Sequence, residues 1–369
     1  MNIGVTTSFL QNFRAGTWVY TKSLLQALDA VAVGGHRIST VDFLPGSVGG
    51  MGNISHVRYP IRSERLVKIT WPNLVLPGKA GRDGFDLIHA TTHYGTFMPC
   101  HYRNVITITD VSPVLHPETH GRMQVYYHTY VLPSVLKRAD AIITISESSK
   151  NDILSRYSVD EGKVQVIHLG VDTRFQPTGE SEGAFARSLP ERYILNIGTL
   201  EARKNLPRLL EAYAIARTRG MEQKLLIGGA SGWRLSNLAR IIETHKLEDH
   251  VQFLGFVDDA DLPLLYSKAD FFVYPSLYEG FGMPILEAMA CGTPVITSNC
   301  SSMPEVAGDG ALLTDPHDPS DLAEKMLALA GSQELCRSLS EKGKGRAARF
   351  TWEQTARETV ALYGRVMGK

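Results

Sequence analysis

The run Tyr274-Pro275-Ser276-Leu277-Tyr278-Glu279-Gly280-Phe281-Gly282-Met283-Pro284-Ile285-Leu286-Glu287-Ala288-Met289-Ala290-Cys291-Gly292-Thr293-Pro294 reads as strand, glycine loop, helix. Pro284 suits a first helical turn, where its missing N–H costs nothing, and Gly292 followed by Pro294 is a C-terminal stop. The helix N-terminus presents free backbone N–H groups and a partial positive charge, while Gly280 and Gly282 allow a ligand close to the backbone. An anion or a hydroxyl-rich sugar fits such a place.

Outward from this run, short β-branched segments alternate with helix-period segments. Ile3 to Val5, Leu87 to His89, Val105 to Ile108, Ala141 to Ile145 and Val164 to Ile167 form a first series. Tyr193 to Ile197, Lys224 to Ile227, Val251 to Leu254, Phe271 to Tyr274 and Val295 to Thr297 form a second. Strand, helix, strand predicts an α/β fold with parallel, doubly wound sheets, here two Rossmann-like domains facing each other across a cleft. The polar stretch Thr173 to Arg192, with Gly179, Glu180, Ser181, Glu182 and Gly183, reads as the linker. The predicted domains are therefore 1–175 and 176–349. Residues 350–369 carry Thr351 and Gln354 as a capping box, then Ala356, Val360, Tyr363 and Val366 at helical spacing, which predicts a terminal amphipathic helix. A chain of 369 residues with 43% hydrophobic content can fill two cores.

Composition narrows the function. Lys+Arg and Asp+Glu both number 38, so a nucleic-acid role, which needs a basic stripe, has little support. The part up to Arg174 is net basic and the remainder net acidic. Cys100, Cys291, Cys300 and Cys336 stand far apart, which fits neither a zinc site nor a disulfide framework and points to a reduced, cytoplasmic protein. The start lacks a signal-peptide pattern and no apolar run approaches the ~18 residues of a membrane span, so any membrane contact is expected to be peripheral.

Glu279 and Glu287 lie eight apart, the first in the loop and the second read as lying in the opening turn of the helix, so both can face one ligand. Carboxylates repel phosphate and suit hydroxyl donors, one set on a sugar and one on a ribose. The alternatives are a solvated loop charge for Glu279 and simple dipole stabilisation for Glu287. A capping box is blocked for Glu287, because the residue three before it is Pro284.

This segment resembles the E-x7-E signature of the retaining glycosyltransferase family 4, whose members adopt the GT-B fold. The similarity extends through Asp86-Leu87-Ile88-His89, Thr107-Ile108-Thr109-Asp110, Ala139 to Ser146, Gly198-Thr199-Leu200-Glu201-Ala202-Arg203-Lys204-Asn205 and Gly255-Phe256-Val257. The resemblance implies an N-terminal acceptor domain and a C-terminal nucleotide-sugar donor domain, with the last helix returning to the first. It places Glu279 and the loop residues Gly280, Phe281 and Gly282 at the transferred sugar, Glu287 on the ribose and the base near Gly255, Phe256 and Val257. The wording of Glu279 to Pro284 and of Ser298 to Val306 is similar to bacterial mannosyltransferases of polysaccharide assembly. GDP-mannose is accordingly the first expectation for the donor and UDP-glucose the second, with a saccharide or lipid-linked saccharide as acceptor. A nucleotide-sugar epimerase of the same fold is the competing reading. An NAD-dependent oxidoreductase would need a G-x-G-x-x-G that Gly4 and Gly16 do not supply.

Arg203 and Lys204 stand just beyond a strand end, where a fork donor and a point charge can grip a diphosphate, and cations at a helix start want an anion. No metal or other cofactor is then required. Gly16 opens a helix and could approach the donor phosphates, or be a plain turn glycine. Asp110 is a catalytic candidate that could equally cap its loop. Many family members carry histidine where this chain has Thr109, with His89, His93 and His116 as candidate replacements. Glu305 reads as half of a capping box with Ser302, and Asp259 with Asp261 as a helix cap rather than a metal-binding pair. Arg58, Arg62, Arg65 and Lys68 read as a solvated face, with contact to anionic lipid as the alternative.

Overall fold

The computed structural model describes residues 1–7, 16–31, 35–42, 52–59, 67–178, 189–230 and 238–368. The expected linker core at Gly179–Gly183 lies outside them, as do Arg62 and Arg65 of the basic stretch. The chain divides into two compact units, one of Met1–Gly170 with Thr351–Lys369 and the other of Val171–Phe350.

The first unit holds strands β1 (Asn2–Thr6), β2 (Arg37–Asp42), β3 (Ser55–Arg58), β4 (Leu87–Ala90), β5 (Arg103–Ile108), β6 (Ala141–Thr144) and β7 (Val164–Val166). They form one sheet in the order β3-β2-β1-β4-β5-β6-β7, with every pairing parallel. The second unit holds β8 (Tyr193–Ile197), β9 (Lys224–Gly228), β10 (Val251–Gly255), β11 (Phe271–Tyr274), β12 (Val295–Ser298) and β13 (Ala311–Thr314), in the order β10-β9-β8-β11-β12-β13 and again parallel. In each sheet the order reverses once, at β1/β4 and at β8/β11. Ligands of open α/β sheets bind outside the carboxyl ends of the strands at such a switch point.

Strands β2, β3 and β13 were not expected from the sequence. The Ser39-Thr40 pair interrupts the apolar run of β2, yet both side chains are buried because Ser39 Oγ meets Ser55 Oγ at 2.6 Å and Thr40 Oγ1 meets His56 Nδ1 at 2.6 Å across β3. Arg58 closes edge strand β3, where alternate residues are exposed, so it belongs to a period-two pattern and not to a helical face.

The terminal helix Trp352–Val366 packs on Gly16–Ala30 of the first unit. Thr351 Oγ1 accepts from Gln354 N at 3.2 Å, but the Gln354 side chain donates to Glu358, so the expected box is a simple cap. Gly170 is required where the chain passes this return: a Cβ there would lie 2.1 Å from Trp352 N. Inside the unit, Tyr363 Oη meets His89 Nδ1 at 2.6 Å, and Thr107 Oγ1 meets His89 Nε2 at 2.8 Å and Tyr20 Oη at 2.9 Å. Burial pulls His89 down to about 3, so this ring is neutral and tethers the terminal helix to the sheet. His89 is thereby a satisfied structural residue.

Candidate active site

Strand β8 ends at Ile197, and beyond Gly198 the chain makes a short 3-10 turn, Ala202–Lys204. Asn205 follows in the left-handed conformation, φ 59°, and its side-chain amide donates to Pro275 O at 3.0 Å and Pro316 O at 2.7 Å. Leu277 N donates to Arg203 O at 2.8 Å. These bonds hold the turn against the end of β11, at the switch point. Below it, Gly229 (φ 150°) passes so near Gly198 that a Cβ would lie 1.9 Å from Gly198 O.

Four side chains converge here. Glu279, 7% exposed, accepts from Arg203 Nη1 at 2.7 Å through Oε2, and from Lys204 Nζ at 2.6 Å and Tyr274 Oη at 3.0 Å through Oε1. Lys204 Nζ also donates to Tyr274 Oη. Burial pushes the Glu279 carboxyl up, but Lys204 and then Arg203 outweigh it and hold it at about 2, so it is ionised. Burial lowers Lys204 against the pull of Glu279, and the buried Tyr274 hydroxyl is raised well above its ordinary range. Arg203 Nε pairs with Glu201 at 3.0 Å.

The two cations are therefore not solitary beyond the strand end: carboxylates already oppose both. Arg203 Nη2 has no hydrogen-bond partner among the described residues and is the donor left for a ligand. Sequence reasoning missed Tyr274, which it read only as the strand's last residue. The signal was its place at the carboxyl end of a strand beside the switch point.

Serines fix the glycine loop. Ser301 Oγ donates to Glu279 O at 2.6 Å, and Ser302 Oγ lies 2.8 Å from Glu279 O and 2.9 Å from Phe281 O. The expected Ser302–Glu305 capping box is thus absent: the Ser302 side chain caps nothing in its helix because it holds the loop. Gly282, at φ 101°, starts the helix Met283–Ala290. The Phe281 ring, 3% exposed, packs edge-on against Phe350 at 5.8 Å, so any sugar contact of this residue would fall to its backbone.

Glu287 is the fifth residue of that helix, in its second turn and not the opening one. Dipole stabilisation falls off beyond the first turn, so that alternative loses its geometry. Its Oε2 accepts from Tyr266 Oη at 3.0 Å. Burial pushes the carboxyl up to about 7, against the Tyr266 bond and Arg174, and with Asp259 and Asp172 adding to the rise. Asp259 pairs with Arg174 at 3.5 Å, and the Asp261 side chain makes no cap bond, so neither aspartate caps the following helix as expected. Gly255 turns with φ 66°, its carbonyl accepting from Gly229 N at 2.7 Å; Phe256 beyond it is 43% exposed and Val257 is buried.

Gly16 and Asp110 belong to the first unit. Gly16 begins its helix with nothing within 4 Å of a built Cβ, so the described residues do not demand glycine there. Asp110 Oδ1 accepts from Ser112 N at 2.8 Å and Ser112 Oγ at 2.5 Å, the local turn bond of an aspartate. Among the described residues no three His, Cys, Asp or Glu side chains form a group suited to a metal ion, and no helix is long and apolar enough to cross a membrane.

Two parallel-sheet units with an ionised glutamate, two cations and a glycine-opened helix at the second switch point are the features of a GT-B glycosyltransferase. Family models agree: Glycosyltransferase Family 4 matches residues 15–175 and Glycosyl transferases group 1 matches residues 180–346. The chain is 35% identical over 272 residues to O-antigen chain mannosyltransferase B of Escherichia coli, covering 71% of this chain and 70% of that protein. It is 30% identical over 275 residues to the serotype-specific mannosyltransferase WbdA of Escherichia coli, covering 72% of this chain and 34% of that longer protein. Among solved structures, sucrose-phosphate synthase from Thermosynechococcus elongatus superimposes with a TM-score of 0.78 at 22% identity, over 100% of this chain and 99% of that one. The chain belongs to glycosyltransferase family 4 and is a glycosyltransferase.

Proposed function

We propose that this enzyme transfers mannose from GDP-mannose to a hydroxyl of a saccharide or lipid-linked saccharide in the cytoplasm, retaining the anomeric configuration and using no metal. The observation that carries the reading is the Arg203–Lys204–Glu279–Tyr274 network at the β8/β11 switch point. The mannosyltransferases at 35% and 30% identity support the choice of sugar.

In this scheme Arg203 Nη2 and the Lys204 ammonium face the diphosphate, and Glu279 holds both cations in position. Fixed charges aimed at the leaving group cost no reorganisation during the reaction. The exposed Phe256 ring offers a face to the base, and Glu287 accepts from the ribose hydroxyls. The sugar C1–O bond to the diphosphate breaks, the acceptor oxygen bonds C1 on the same face, and the acceptor proton passes to a diphosphate oxygen. Asp110 and the first unit serve the acceptor.

A thermal-shift panel of GDP-mannose, UDP-glucose, GDP and UDP, with and without EDTA, followed by mass spectrometry of the product, tests this. The expected result is the largest shift with GDP-mannose, unaltered by EDTA; unchanged melting with every nucleotide would sink the donor-site reading.

Glu287 adds a pH signature. A carboxyl raised to about 7 is mostly protonated below that value, and only the carboxylate is a pure acceptor for ribose hydroxyls. GDP affinity measured by calorimetry is expected to rise from pH 6 to pH 8 and to be flat in Glu287→Gln. The raised group acts oppositely on stability: its contribution is fully present below the ordinary 4.5 and is lost as pH climbs through about 7.

A further inference from the structure

Glu287 owes its direction to a single side chain. The helix Met283–Ala290, which carries it, packs on the helix Leu262–Ser267, from which the fully buried Tyr266 donates through Oη to Glu287 Oε2 at 3.0 Å. Among the described residues no other group hydrogen-bonds this carboxylate. Glu287 is half-buried, and its Oε1 is not sealed from solvent.

The packing of Tyr266 leaves its hydroxyl one direction. Its ring meets Phe175 edge-on at 6.0 Å and Phe272 edge-on at 5.3 Å, and its carbonyl accepts from Thr293 Oγ1 at 2.7 Å, just past the end of the Glu287 helix. Backbone and side chain of Tyr266 thus hold two points of one segment. Phenylalanine would fill the same apolar pocket, so the hydroxyl is needed for its one partner, Glu287. Burial, then the Glu287 charge, raises the phenol well above its ordinary range, so it stays protonated and donates throughout the neutral range.

The other charged or titratable groups facing Glu287 are Arg174, Asp259, Asp172 and Cys291. Arg174 lies over the Phe175 ring at 5.0 Å and pairs with Asp259 at 3.5 Å and Asp172 at 3.9 Å, all partly exposed, so this trio is solvated and mixed in sign. Cys291, pushed up to about 12 chiefly by burial, is neutral. The Tyr266 bond is the largest influence opposing burial and keeping the carboxylate charged.

We propose that Tyr266 is the positioning residue of the ribose site: its hydroxyl holds Glu287 Oε2, so that Oε1 is presented as a fixed acceptor to the ribose hydroxyls of the nucleotide. The proposal rests on the ribose role of Glu287 given above.

The test is calorimetry of GDP and of 2′,3′-dideoxy-GDP, which lacks both ribose hydroxyls, with the full chain from pH 6 to pH 8. The wild type is expected to bind GDP more tightly than the dideoxy nucleotide, with only the GDP affinity rising with pH. Tyr266→Phe is expected to weaken GDP about tenfold at pH 7, to leave the dideoxy nucleotide unchanged, and to move the GDP profile to higher pH, because a bond to the charged form is gone. Placing 3-fluorotyrosine at Tyr266 keeps the hydroxyl and makes it a stronger donor. That protein is expected to show the GDP profile at lower pH, whether or not Tyr266→Phe folds. A merely structural hydroxyl would lower melting, weaken both nucleotides equally and leave the profile in place. An unchanged ratio of GDP to dideoxy-GDP affinity in Tyr266→Phe, or an unmoved profile in the fluorotyrosine protein, overturns the proposal. Equal wild-type affinity for the two nucleotides would instead overturn the ribose role of Glu287 itself.

Discussion

Glu279→Gln is expected to cost about 3 kcal/mol of stability and to reduce kcat/KM roughly a thousandfold. Removing one partner of a buried ion pair strands the other charge, a loss of about 3–5 kcal/mol, and the lower end applies because Arg203, at 25% side-chain exposure, keeps access to water. The catalytic loss follows from misplacing the two cations that the proposed scheme aims at the diphosphate, where single preorganised donors are worth about 10²–10³ in rate. Urea unfolding at neutral pH and steady-state kinetics read the two effects. Lys204→Met should cost a comparable amount, and the double variant less than both losses together, because the residues share one network. The sign of the pH effect is determined by the depressed carboxyl: the Glu279 contribution is present above 4.5 and lost as pH falls through about 2. Intact stability with lost activity would instead place Glu279 on the substrate and not on the cations.

Gly229→Ala is the second large effect. A side chain at φ 150° is strained in any surroundings, and its Cβ would meet Gly198 O at 1.9 Å, backbone against backbone. Either the carboxyl end of β9 or that of β8 must shift, and the latter carries the turn Ala202–Lys204. A loss of roughly 4 kcal/mol is expected, with nucleotide-induced stabilisation abolished in whatever folds. Gly345→Ala is the matched control, since no described residue lies within 4 Å of a Cβ placed there. Equal melting of Gly229→Ala and the wild type would show that the two strand ends are not packed as described.

The parallel architecture was legible because both sheets are covered on their faces, so their central strands are apolar runs rather than alternating ones. Strand β2 escaped because its buried polar residues are satisfied by β3, a pairing between segments with no local signal. The local arrangement of Glu279, Gly282 and Glu287 was legible as loop, helix start and helix. The pairing within the site was not. Arg203 and Glu279 are 76 residues apart, and their ion pair depends on Asn205 bridging to Pro275 and Pro316. Local patterns also misassigned Ser302: a Ser three residues before a Glu reads as a capping box, whereas its hydroxyl is used by the Glu279–Phe281 loop. His89 shows the converse, a candidate for chemistry that tertiary contacts with Tyr363 and Thr107 retire to a structural role.

The central claim is retaining mannosyl transfer at the Arg203–Lys204–Glu279–Tyr274 network. Proton NMR of the product formed from GDP-α-D-mannose and a mannoside acceptor in the presence of EDTA tests it most directly. The account predicts a new α-linked mannosyl signal that is lost in Glu279→Gln; a β-linked product, or transfer undiminished in that variant, would contradict it.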